Sequence, residues 1–268
     1  MNTLLCISAH PDDEALSFGA LLMQAARLGW SIHLAWATVG EKSSSLDANR
    51  RWQEALQVAD LLKATAHRFG LGDGHVSMGE FIPLADRLVR ELKPTVVAWP
   101  CGTSPEQHQD HRVIHEGMLN IAGRSPYASS CWCIGQPPVE PDPAFCQPQF
   151  YFCYGESLLQ DSISLMAAYQ SEKQKRFASP HFLRSRAEQW AVRAGTAALF
   201  AEPFMLAKGI PPADLFLREI EIESRSLIAN GQLTNDSNYH FDQSMSLLSN
   251  DSGDTVFGTP ATSRPTNS

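Results

Sequence analysis

Residues 3–22 read TLLCISAHPDDEALSFGALL, and the order of residue types in this stretch sets the architecture. Residues 3–9 form an apolar run of strand length. His10, Pro11, Asp12, Asp13 and Glu14 then break it with charge. A helical pattern starts at once. Ala15, Phe18, Leu21, Leu22, Ala25 and Leu28 share one face, and Gly29 ends it. A buried strand running straight into a helix, with polar residues at the junction, opens a βα unit.

Further along the chain the unit recurs. SIHLAWAT (31–38) reads as a second strand and SLDANRRWQEALQVADLLKA (45–64) as an amphipathic helix. ATAHRFGL (64–71) is a short strand, and EFIPLADRLVRELK (80–93) a third helix stopped before Pro94. TVVAWP (95–100) is a fourth strand. After a loop at 101–107, QHQDHRVIHEGMLNIAG (107–123) is a fourth helix. This alternation predicts an α/β fold: a doubly wound, mostly parallel sheet with helices on both faces. Beyond residue 125 the regularity fades. CWCIGQ (131–136) and QFYFCYG (149–155) read as further strands around a Pro-rich loop at 137–148. Helical pieces follow at about 157–175 and 181–200. Residues 1–229 read as one domain, and 230–268, rich in Ser, Asn, Asp and Thr, as a poorly ordered tail.

The 268 residues are 43% hydrophobic, enough for one large core. The net charge of −8 argues against a general nucleic-acid binder and suits a protein acting on small molecules. No stretch is long and apolar enough to span a bilayer. Met1-Asn2-Thr3 carries no positive region, and His10-Pro11-Asp12 cuts the first apolar run, so no signal peptide is expected. The six cysteines form no C-x-x-C pair and read as reduced thiols of a cytoplasmic protein.

Two stretches concentrate chemistry: His10 to Glu14 at the end of strand one, and His108-Gln109-Asp110-His111 after strand four. In a doubly wound sheet of order 3-2-1-4, strands one and four are neighbours. The crevice above their carboxyl ends is the switch point where ligands bind. The two clusters should face each other there. Two histidines and a carboxylate around one point suit a catalytic zinc with a fourth position left to water. Such a metal lowers the pKa of its water to about 7. A second carboxylate can take that proton, and a further histidine can protonate a leaving group. The set suggests hydrolysis of a carbonyl compound such as an amide. Ligand type alone also allows Fe(II).

Simpler explanations cover some of these residues. The helix dipole favours carboxylates in a first turn by about 0.3–1 kcal/mol, which explains one or two acids but not the histidine beside them. His115, one turn past His111, reads as structural. His33 and His67 sit inside strand patterns as core or edge histidines. His75, in the loop GDGHV, lies within reach of the cleft. Arg50 and Arg51 open the second helix near the active end of the sheet, one a solvated charge, the other a candidate for a substrate's anionic or hydroxyl group. A nucleotide-binding module would carry G-x-G-x-x-G after strand one, and this chain has H-P-D-D-E instead.

AHPDDE followed about a hundred residues later by HQDH resembles the PIG-L/LmbE family of zinc-dependent N-deacetylases. RRWQEALQVADLL, FGLGDG and AVRAGTAALFAEPF resemble further family segments, so the likeness covers about residues 3–206. The resemblance implies a Rossmann-like fold with zinc held by His10, Asp13 and His111. It implies Asp12 as general base, His108 as the group that protonates the amine or polarises the oxyanion, Asp110 as the residue that orients His108, and Arg51 as a substrate contact. The expected activity is removal of an N-acyl group, chiefly acetyl, from an amino sugar such as an N-acetylglucosamine derivative or a related small amine. A non-sugar amidase and a non-catalytic metal-binding relative are the alternatives.

Overall fold

The computed structural model describes residues 1–42, 48–103, 108–124, 131–136 and 147–216. The predicted alternation is present. Strands β1 (Thr3–Ser8), β2 (Ser31–Trp36), β3 (Thr65–Arg68) and β4 (Val96–Pro100) alternate with helices α1 (Asp13–Arg27), α2 (Ala48–Leu61), α3 (Met78–Leu92) and α4 (Gln109–Arg124). Then follow β5 (Cys131–Gly135), β6 (Phe150–Tyr154), α5 (Glu156–Ala167), α6 (Pro180–Ala194), β7 (Phe200–Lys208) and the short α7 (Ala213–Phe216). The sheet runs β3-β2-β1-β4-β5-β7-β6. Its first five strands are parallel, and β7 pairs antiparallel with β5 and β6. The β1/β4 neighbourhood that the crevice requires is therefore present.

Alternate residues of β1 feed two cores. Leu4 and Cys6 pack with α1, α2 and α5, whereas Leu5 and Ile7 pack with α3 and α4. A strand buried on both faces reads as a continuous apolar run, which is why TLLCIS shows no alternation. No helix among the described residues is long and apolar enough to cross a membrane. The expected boundary at 229/230 and the tail lie outside the described residues, as do parts of the loops at 101–107 and 137–148.

The C-terminal part departs from the expectation. Helix α5 stops at Ala167, not near 175, and the next residues form turns and a 3-10 segment at Arg176–Ala178. Strand β7 has no counterpart in the sequence reading. Glu202 and Pro203 interrupt its apolar run, and a proline speaks against an interior strand. Pro203 sits opposite Tyr151 of β6, one residue before pairing with β5 begins at Phe204.

Glu202 has a task that the period cannot show. Helix α1 breaks at Phe18, whose φ is −140° and ψ 16°. The Ala20 and Leu21 amides, freed at that break, donate to the Glu202 carboxylate at 2.7 and 3.1 Å. The Leu16 carbonyl accepts from Arg186 at 3.0 Å. A strand and a helix from the far end of the chain thus cap the two halves of α1, and the first half carries the site.

Candidate active site

The crevice over β1 and β4 holds the polar cluster. His10, at the end of β1, turns Nδ1 toward Nε2 of His111 at 3.1 Å and Oδ2 of Asp13 at 3.7 Å. His111 Nε2 lies 3.3 Å from the same Asp13 oxygen. Asp13 opens α1, and His111 sits in the first turn of α4. Each is fixed by the local chain. The His10 amide donates to Asp13 Oδ2 at 2.9 Å, and the His111 amide donates to the His108 carbonyl at 3.1 Å. A Cβ on Gly102 would come within 2.2 Å of the His111 carbonyl oxygen, so the loop after β4 can pass α4 this closely only with glycine.

On its other side, Nε2 of His10 faces Asp73 Oδ1 at 3.1 Å and Asp110 Oδ2 at 3.4 Å. Two carboxylate acceptors there place the proton on Nε2 and leave the Nδ1 lone pair for a cation. Carboxylate, histidine and metal position then stand in series, as in many metal sites. Both carboxylates are anchored. Asp73 Oδ2 accepts from the Lys42 amide at 2.9 Å, and Asp110 accepts from the Gly74 and Val76 amides at 2.7 and 3.2 Å.

The charges respond to this packing. Burial opposes the His10 imidazolium, but Asp110, Asp73 and Asp13 outweigh it and raise its pKa to about 10. Burial also opposes the Asp13 anion, yet the His111 and His10 rings hold its carboxyl below the usual range. The hydrogen bond from His10 does the same for Asp73. His108 shifts down through burial and the charge of His10. Three carboxylates thus converge on the His10 ring, one beside Nδ1 and two beside Nε2.

The donor set fits a metal. Tetrahedral zinc with bonds of about 2.0–2.2 Å sets its ligand atoms about 3.3–3.5 Å apart, and the His10, Asp13 and His111 atoms are 3.1–3.7 Å apart. His10, Asp73, His108 and Asp110 form an overlapping group sharing His10.

The remaining predicted residues ring this point. His108 is half-exposed, its Nε2 3.9 Å from Asp73 Oδ1 and its Nδ1 3.7 Å from Asp110 Oδ2. Asp12 is buried, with Oδ2 3.0 Å from Arg51 Nη2. Burial raises its pKa, Arg51 lowers it and Asp13 raises it again, to about 7. The family resemblance implies a substrate contact for Arg51. In the fold its guanidinium is buried, donating to the Pro11 carbonyl at 3.0 and 2.7 Å and meeting Asp12 and Glu172. Arg50, half-exposed, pairs with Glu54. His75 lies at the rim, Nδ1 2.9 Å from Lys42 Nζ. His115 is a core residue whose Nδ1 accepts from Trp99 Nε1 at 3.2 Å.

Asp73, Trp36, Tyr169 and Glu172 stand outside the residues that the sequence marks, and Glu14 was marked only as part of the charged stretch, without a role. Asp73 had a signal, the GLGDG turn ahead of α3. Tyr169 had none, because the turn that carries it reads as helix. Asp12 has φ 117° and ψ −30°, a conformation that strains a non-glycine residue by about 1–3 kcal/mol.

The chain is thus an α/β protein with a two-histidine, one-aspartate cluster, a group that could hold a metal ion, at the switch point of its doubly wound sheet. Residues 5–122 match the family model described as PIG-L, GlcNAc-PI de-N-acetylase. No curated protein matches the chain in sequence. Among solved structures, the conserved protein TT1542 from Thermus thermophilus is similar with TM-score 0.67 and 20% identity, over 79% of this chain and 97% of that one. The N,N'-diacetylchitobiose deacetylase from Pyrococcus horikoshii is similar with TM-score 0.61 and 17% identity, over 76% and 83%. GalB, the 4-carboxy-2-hydroxymuconate hydratase from Pseudomonas putida, is similar with TM-score 0.63 and 17% identity, over 79% and 98%. The shared fold thus hosts more than one chemistry.

Proposed function

We propose that this protein is a metal-dependent hydrolase that removes an N-acetyl group from an amino sugar or related small amine. The observation that carries the reading is the meeting of His10, Asp13 and His111, from two segments a hundred residues apart, with ligand atoms at tetrahedral-edge spacing. The PIG-L match and a deacetylase among the similar structures support the substrate class. His10, Asp13 and His111 are the ligands, with zinc the first candidate and Fe(II) the second. A metal held there supplies Lewis acidity and lowers the pKa of water.

Asp12 adjoins the ligand Asp13 and accepts the water's proton. His108, half-exposed at the mouth, donates a proton to the departing amine nitrogen. Asp110 lies beside both rings, 3.4 Å from His10 Nε2 and 3.7 Å from His108 Nδ1, and orients them. Arg51 we assign to holding Asp12, because its guanidinium is buried against Pro11, Asp12 and Glu172. The five described cysteines are free and buried, in keeping with a cytoplasmic setting.

The test is incubation of the zinc-loaded chain with N-acetylglucosamine and N,N'-diacetylchitobiose, measuring acetate and free amine together. Equal release of both is expected. Metal-loaded protein that releases neither overturns the reading. A hydratase adds water without releasing an amine, so the same assay separates the two chemistries.

A further inference from the structure

Asp12 is held in its positive-φ conformation by a buried brace that no metal motif explains. Its amide donates to Glu14 Oε2 at 3.3 Å, and Trp36 Nε1 donates to the same oxygen at 2.8 Å. The other oxygen, Oε1, accepts the Tyr169 hydroxyl. All four residues are buried. Tyr169 belongs to the turn after α5, and that turn is itself pinned. The Ser171 amide donates to Glu54 Oε1 of α2 at 3.0 Å, and Glu172 Oε1 meets Arg51 Nη1 at 3.2 Å. Arg51 in turn clamps the Pro11 carbonyl and the Asp12 carboxylate. The Pro11–Asp12 corner is therefore gripped from two sides by one turn of chain more than 150 residues away.

We propose that Tyr169 is a positioning residue for Asp12, acting through the carboxyl group of Glu14. A carboxyl this deeply buried stays where donors hold it. Without the Tyr169 hydroxyl, Glu14 Oε1 loses that donor and the carboxyl turns toward another. The Asp12 amide then loses its acceptor, and its backbone relaxes to the negative φ that an aspartate prefers. That rotation swings the Asp12 side chain away from its place beside Asp13. The consequence for rate rests on the reading of Asp12 as base. The consequence for backbone conformation does not.

Tyr169→Phe in the zinc-loaded full chain tests this. A kcat roughly 10–100-fold lower is expected, with KM and bound zinc unchanged, the size that a misplacement near 1 Å produces. In an Asp12→Asn background the same replacement should cost nothing further, because it positions a group no longer there. An equal fractional loss in both backgrounds, or an unchanged kcat in the single variant, overturns the proposal. A crystal structure of Tyr169→Phe supplies a reading independent of turnover. Asp12 at negative φ supports the inference, and Asp12 still near 117° overturns it even if the chain proves to have no deacetylase activity. Should Tyr169→Phe fold poorly, as a melting curve would reveal, Trp36→Phe removes the other side-chain donor to Glu14. It is expected to show the same kinetic pattern and the same backbone change, and an unshifted Asp12 with unchanged kcat overturns the idea there too.

Discussion

Two histidine pairs in this sheet have almost the same spacing and opposite character. His10 Nδ1 lies 3.1 Å from His111 Nε2, and His33 Nδ1 lies 3.0 Å from His67 Nε2. The first pair is wrapped by Asp13, Asp73 and Asp110. The second pair, on β2 and β3, has the Ser31 hydroxyl at 3.2 Å from His33, and the charge of Glu91 acts on His67. Accordingly His10 is raised to about 10, whereas burial lowers His33 and His67. Ring spacing alone does not make a cation site. The carboxylates around the first pair set it apart, and they come from the start of α1, the turn before α3 and the first turn of α4.

Replacing Asp13, the carboxylate in the proposed ligand set, should erase this contrast most completely. Asp13→Ala is expected to leave the zinc-reconstituted protein without stoichiometric metal by elemental analysis, with turnover reduced on the order of 10³-fold or more. Metal at full occupancy would remove Asp13 from the ligand set. Asp12→Asn should behave differently: metal is retained, and kcat falls roughly 10²–10⁴-fold. A near-normal rate would mean that another group takes the proton.

His115 extends the comparison to a core imidazole packed against Trp99. Burial lowers its pKa from 6.5 to about 4. The unfolded chain therefore binds a proton that the folded one refuses between those values, and this contribution to stability is lost as pH falls through that window. The effect is bounded at about 3 kcal/mol. In urea melts at several pH values, His115→Gln should be less sensitive across that window than the parent, and parallel curves would contradict the assignment.

Asp73→Asn probes the difference from inside the cluster. It keeps the shape but removes one of the two charges facing His10 Nε2, so zinc affinity against a competing chelator should fall roughly 10–100-fold. The smallest effect belongs to the second pair. His67→Gln should leave metal content and kcat unchanged and shift stability by about 0.5 kcal/mol or less. A loss of zinc there would show that the pair takes part in metal binding.

How far the sequence could be read follows from where its partners lie. The strands and helices from Thr3 to Arg124 were legible because each βα unit satisfies its own period and its own stops. His10, Asp12, Asp13, His108, Asp110 and His111 were legible because charge stood where an apolar strand ended. Strand β7 was hidden by Glu202 and Pro203 in its run, and the end of α5 by an apolar pattern that continues past Ala167. Tyr169 and Glu172 carry no mark in sequence, since what they do depends on Glu14 and Arg51 far up the chain.

Hydrophobic period and the break in it thus sufficed to specify a doubly wound sheet with its chemistry at the β1/β4 crevice. Both are local properties, written within a dozen residues. Packing of the whole chain settled which acids surround His10, which residues brace Asp12, and that Glu202 and Arg186 cap a broken α1. Those are pairings between groups as many as 182 residues apart. Which of them form depends on how the helices pack against the sheet, and no window of sequence contains that.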